Sequence, residues 1–106
     1  MKVTVAADAP VQPNPFGVSP RKLHDTADAV IIQMTLEPGQ AIPPHPTPVD
    51  VTFYALTDGG EVVIGDEAQV VAAGTLVESP KNIPHALRNV SDHTVQFLVI
   101  KAPRPS

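Results

Sequence analysis

The sequence predicts an all-β domain folded as a small jelly-roll barrel, and three observations carry that expectation. Roughly eight short runs rich in β-branched residues alternate with turns made of Gly, Pro, Asp and Ser, the pattern of a sandwich or barrel. The 106 residues include 13 prolines and 6 glycines, and proline is barred from helix interiors and central strands, so short elements joined by turns are favoured. No stretch of helical length repeats its apolar residues with the helical period. A barrel also hides most of its own sheet edges, and the length suffices for one core and not two.

Residues 3–6 read as a short edge strand, and the proline-rich stretch 10–20 as irregular. Residues 1–28 are therefore expected to form an N-terminal arm lying on the barrel or on a partner subunit. Residues 29–101 form the barrel core of a single domain spanning 1–106. Val30–Leu36 is a β-branched run that stops at the turn pair Pro38-Gly39. Residues 49–56 alternate in part and end at Asp58-Gly59-Gly60, a hairpin signal that makes 61–65 the expected partner strand. Gly65-Asp66-Glu67 is the next turn. Residues 69–72, Leu76–Ser79 and His85–Asn89 are short strands punctuated by Gly74, Pro80 and Pro84. The Ser91-Asp92-His93 turn leads into a last strand over 94–101.

Hydrophobic residues make up 42% and charged ones 17%, so the chain can bury a core. A formal net charge of −4 argues against a nucleic-acid-binding surface. The absence of cysteine excludes disulfides and thiolate ligands. No run of about eighteen apolar residues occurs, and MKVTVAADAPVQPNP lacks an apolar signal-peptide core, so a cytoplasmic protein with no membrane partner is expected. Glycine-rich phosphate loops, a G-x-S-x-G elbow and Cys–His pairs are all missing. The carboxylates Asp66 and Glu67 sit together in a turn and read as solvated.

Two segments hold the residues that can carry chemistry. GTLVESPKNIPHALRN sets Gly74 six residues before Pro80, Pro84 directly before His85, and Asn89 after them. Upstream, PGQAIPPHPTPVDVTFYALTDGGEVVIG places His45 six residues after Gly39. Together they resemble the paired signature motifs of the cupin family, over about residues 30–100. The resemblance implies a cupin-type double-stranded β-helix holding a metal ion on two histidines and a glutamate of the first motif and one histidine of the second. On this chain His45 matches the first of those histidines and His85 the histidine of the second motif. Thr47 stands at the other first-motif histidine. The glutamate falls on Val51, or on Thr52 if the spacer is one residue longer. Asn82 stands where the second motif usually has glycine.

Two imidazoles alone hold a divalent ion weakly, because structural sites use about four protein ligands and catalytic sites about three. A third ligand must come from elsewhere. Asp50 is the nearest carboxylate, although strand alternation turns it away from His45 unless a bulge intervenes. Gln33 offers an amide from another strand, and Thr47 a hydroxyl for a water beside the ion. Two histidines, a carboxylate and waters resemble the facial arrangement found on Fe(II). The candidate ligand set is thus His45, His85 and Asp50 for Fe, Mn, Ni or Zn, and the candidate pocket set is Thr47, Val51, Phe53 and Gln33. Phe53 and Tyr54 point to opposite faces, and alternation assigns Phe53 to the cavity. Plainer roles stand beside these. His45 in PPHPTP can end a proline-rich turn, His85 can be a hydrogen-bonded core residue, and Asp50 can face solvent. His24 and His93 read as surface residues, and Asn89 as an amide that pins its turn.

Three functions are compatible with this pattern. The first is a metal-dependent cupin acting on a small organic molecule. The second is a metal-free, non-catalytic module that binds or senses a small ligand in a pocket made apolar by Val51 and Phe53. The third is an isomerase or epimerase without metal, using His45 or His85 as general acid or base. The resemblance further implies a homodimer, for which the apolar edge at 95–100 and the proline-rich N-terminal arm are the expected surfaces.

Overall fold

β-branched runs punctuated by proline and glycine settle into nine strands in the computed structural model, which describes residues 1–106. They are β1 (Ser19–Asp25), β2 (Val30–Leu36), β3 (Ala41–His45), β4 (Asp50–Ala55), β5 (Gly60–Ile64), β6 (Glu67–Val71), β7 (Leu76–Ser79), β8 (His85–Asn89) and β9 (Val95–Ala102). Five strands form one sheet in the order β1-β2-β9-β4-β7, and four form another in the order β3-β8-β5-β6. Every pairing is antiparallel. Alternation then decides what is buried. Along β2 the residues Val30, Ile32, Met34 and Leu36 face inward, and Val51, Phe53 and Ala55 do so on β4. Val95, Phe97 and Val99 on β9 join them, and Val62 and Leu87 from the second sheet close the same core. Each of the Val, Ile, Leu, Met and Phe side chains, fully buried, contributes about 1.5–3 kcal/mol.

The structure corrects the expected arm in two places. Residues 3–6 form no strand, and Ala6–Asp8 make a short 3₁₀ turn. Residues 19–25 belong to the barrel as β1, paired with β2 along its length. The polar sequence SPRKLHD hid this strand because it lies at a sheet edge, and its register shifts between Lys22 and His24. Arg21 on β1 directs its guanidinium to the carbonyls of Ala6, Ala7 and Ala9, which fastens the N-terminal turn to the sheet.

β3 was not legible either. It carries Pro43 and Pro44, yet it is an edge strand whose pairing with β8 is irregular between Ile42 and His45, so the missing N–H groups break no ladder. The Asp58-Gly59-Gly60 turn does not make a hairpin. β4 and β5 lie in different sheets, and the chain crosses between them there. Both glycines are required by contact: a Cβ on Gly60 would stand 2.4 Å from Phe97 Cζ, and one on Gly59 2.6 Å from Ser91 Cβ. Finally, β9 is the central strand of its sheet, between β2 and β4, so its edges are already paired and cannot receive a second subunit.

Candidate functional site

The site is built where the end of β3 meets the start of β8, beside the middle of β4 and the last residues of β9. β3 and β8 bring His45 opposite His85, and the two rings meet edge to face with centroids 4.7 Å apart. Phe53 from β4 packs edge-on against the other side of the His85 ring, at 5.2 Å. His45 is exposed and its Nδ1 lies 3.1 Å from the Pro43 carbonyl oxygen. A carbonyl only accepts, so Nδ1 carries the proton in that bond and the lone pair of the neutral ring sits on Nε2.

His85 is the opposite case. It is buried, and both ring nitrogens are occupied: Nδ1 is 2.9 Å from Ser79 Oγ, and Nε2 is 3.2 Å from Thr47 Oγ1. Ser79 and Thr47 are themselves buried. In a neutral ring one nitrogen donates and the other accepts, and hydroxyls serve either role, so the pair satisfies the imidazole completely. Burial pushes the His85 pKa down to about 4, with the nearby His45 and Lys101 charges pushing the same way. His85 is therefore neutral at pH 7.

Thr47 is held in place by the turn between β7 and β8. Asn82 N donates to the Thr47 carbonyl oxygen at 2.8 Å, and Lys81 N donates to Asp50 Oδ1 at 2.9 Å. These two bonds tie the β3–β4 loop to that turn. Asn82 manages this with a φ of 65°, a left-handed conformation that asparagine tolerates better than most residues, which accounts for its standing where glycine is usual.

An apolar cavity of about 160 Å³ adjoins the two histidines. Ile32, Met34, Ile42, Leu87 and Val99 wall it, with Phe53 against His85. The segment Asn14–Phe16–Val18–Pro20 covers one side. Asn14 is engaged there in shaping its own loop, donating to the carbonyls of Gln12 and Val18 and accepting from Phe16 N. Lys101, at the end of β9, also lines the cavity. Burial lowers its pKa, and the charge of Lys22 adds to the effect.

The expected residues separate on this geometry. His45, His85 and Phe53 come together at the cavity. Thr47 is beside them but spends its hydroxyl on His85 and does not line the space. Val51 is packed in the core, 1% exposed, opposite Ser79 and Lys101. Asp50 and Gln33 lie elsewhere. Asp50 is exposed at the start of β4, on the face opposite Val51, and holds Lys81 N. Gln33 is on the outer face of β2, in a groove with Arg21 and Thr35. Both departures follow from alternation, since no bulge in β4 or β2 reverses it.

A metal ion is therefore poorly served. No group of three or more His, Asp or Glu side chains is arranged so that it could hold a metal ion. One of the two imidazoles has both nitrogens engaged, and no carboxylate faces it. Sequence reasoning missed Ser79 and Lys101, and it expected the 10–20 stretch as an arm on the barrel or a partner without placing it at the cavity. Lys101 alone had a signal, because Phe97, Val99 and Lys101 are two residues apart on one face of a strand.

Comparison with known proteins agrees with this architecture. The family model described as Cupin domain matches residues 32–101. The TT1209 protein from Thermus thermophilus is 28% identical with a TM-score of 0.85, over 99% of this chain and 100% of that one. A conserved protein of unknown function from Streptococcus pyogenes, SPY1581, is 29% identical with a TM-score of 0.74, over 88% and 80% of the two chains. An RmlC-like cupin family protein with a double-stranded beta-helix fold from Methanocaldococcus jannaschii has a TM-score of 0.79 over 99% and 94%, and at 22% identity it shares the fold alone. No curated protein matches the chain. No helix is long and apolar enough to cross a membrane.

Proposed function

Because the chain belongs to the cupin domain family, we propose that it is a metal-independent member that binds a small organic molecule in the cavity beside His45 and His85. The observation that carries this reading is the Thr47 hydroxyl, 3.2 Å from His85 Nε2. Thr47 stands at a position where the family commonly has a metal-binding histidine, and here it caps the nitrogen of another. With Val51 in place of a carboxylate and Asp50 turned outward, the donors that remain fall short of the three or four that a bound ion uses. What is left is an apolar cleft with a few polar groups at one end, the usual form of a small-molecule site. In it the neutral His85 orients His45 and Phe53 by packing.

The competing reading keeps a divalent ion, Fe, Mn, Ni or Zn, on His45 and His85. The 4.7 Å between their rings favours it. It requires Thr47 to release Nε2. Metal analysis separates the two. Protein purified without chelator and then offered Mn(II), Fe(II), Ni(II) or Zn(II) is expected to retain far less than about one equivalent per chain, like the His45→Ala/His85→Ala variant. Stoichiometric metal that disappears in the variant would overturn the proposal. A homodimer belongs to the same reading. With β9 internal, it would pair copies through the outer face of the five-stranded sheet, where Ile31, Leu98 and Ile100 are only half-buried. Sedimentation showing a monomer at every concentration removes that part.

A further inference from the structure

Lys101 is the one cation facing the cavity that no carboxylate answers. Its neighbours across β2 and β4 are Val30 and Val51, both buried and apolar. It forms no ion pair and no side-chain hydrogen bond, whereas Lys22, Arg88 and Arg104 each reach an Asp or Glu. No acidic side chain lines the cavity, in a chain whose formal net charge is −4. The charges that act on it or on which it acts are Lys22 and His85, and Lys22 is already paired with Asp25 one strand further out. An ammonium among apolar side chains is costly unless it is paired, and its pKa is lowered accordingly.

We propose that Lys101 is the ligand-selecting residue of this cavity, and that the ligand is a small molecule with an apolar body and a single anionic head, of the kind an aromatic or branched carboxylate presents. This rests on the metal-independent binding reading above. The size of the space supports it, since an apolar cavity of about 150 Å³ accommodates a benzene-sized body. The apolar wall of Ile32, Met34, Leu87 and Val99 takes that body, and the lysine supplies the charge that the head lacks in its surroundings. A charge-assisted hydrogen bond in such a place is stronger than a neutral one. The plainer account is that the lysine lays its stem on the wall and extends its head through the mouth into water, in which case it selects nothing.

Benzoate and benzyl alcohol, matched in body and differing in charge, distinguish the two. Their affinities for metal-free protein at pH 7 and low salt are measured by calorimetry or by ligand-detected NMR. Benzoate is expected to bind about tenfold more tightly than benzyl alcohol. In Lys101→Met that preference should fall to within about twofold while benzyl alcohol binding persists, and in Lys101→Arg the preference should remain. Equal binding of both probes to the wild type overturns the role of Lys101 and leaves the cavity a small-molecule site. A preference for benzoate that survives Lys101→Met overturns it as well. If neither probe binds, the small-molecule reading fails together with it.

Discussion

The β3–β4 half and the β7–β8 half of the barrel carry corresponding motifs and have met different fates. In the β7–β8 half the polar residues Ser79, His85 and Asn89 are 1%, 4% and 3% exposed, and every one is hydrogen-bonded. Asn89 alone donates to the Leu36 and His93 carbonyls and accepts from Ser91 N and Oγ. In the β3–β4 half His45 is exposed, Asp50 caps a loop, Val51 is core and Thr47 serves His85. The contrast separates two jobs that one motif often combines. Residues that pin backbone are required by the fold whatever the cavity holds. Residues that donate to a ligand can be exchanged for core or loop residues with the barrel intact.

Restoring what the β3–β4 half lacks should have the largest effect. Thr47→His/Val51→Glu is expected to change retained Ni(II) or Zn(II) from little to about one equivalent per chain, with an unfolding temperature that rises as metal is added. A folded variant that still takes up no metal would show that the two positions are not what distinguishes the halves. A smaller effect sharpens the contrast within the scaffold. Asn89→Ala removes the side-chain donor to the buried Leu36 carbonyl, while Ser91 Oγ still reaches the His93 carbonyl, and should cost about 2 kcal/mol in urea unfolding, whereas Asp50→Ala, at an exposed bond, should cost less than about 1 kcal/mol. Equal losses would mean that the two motifs support the fold alike.

The third effect is a pH dependence specific to the β7–β8 half. The His85 pKa lies below that of the unfolded chain, so acid favours unfolding: its contribution is complete above about pH 6.5 and is lost as pH falls through about 4. Allowing for water at the cavity side of the ring, that loss should be about 2 kcal/mol and should be missing in His85→Gln. His93 has the opposite sign. The Asp58 carbonyl and the Asp92 carboxylate raise its pKa, so whatever it contributes is present at low pH and fades as pH rises. Unfolding curves at pH 4.5, 6 and 8 for wild type and His85→Gln check both directions.

Much of this was legible in the chain. β2, β7 and β8 have the bounds that their β-branched runs and flanking prolines indicate, and Phe53 faces the cavity as alternation requires. What escaped was set by the partner strand and not by local sequence. β1 and β3 are edge strands that tolerate polar residues and proline, and the Gly59-Gly60 corner is shaped by Phe97 and Ser91 rather than by a hairpin. The site was half legible for the same reason. Motif spacing located His45 and His85, but only the packed structure brings Ser79 and Thr47 onto the two nitrogens of one ring.

An NMR titration of the His85 ring nitrogens, with and without one equivalent of Zn(II), reads the state of this ring. A ring capped by Ser79 and Thr47 should remain neutral to well below pH 6, titrate near about 4, and keep its Nε2 signal unchanged by the metal. A ring that titrates near the ordinary histidine value, or whose Nε2 signal moves as the first equivalent binds, would contradict it.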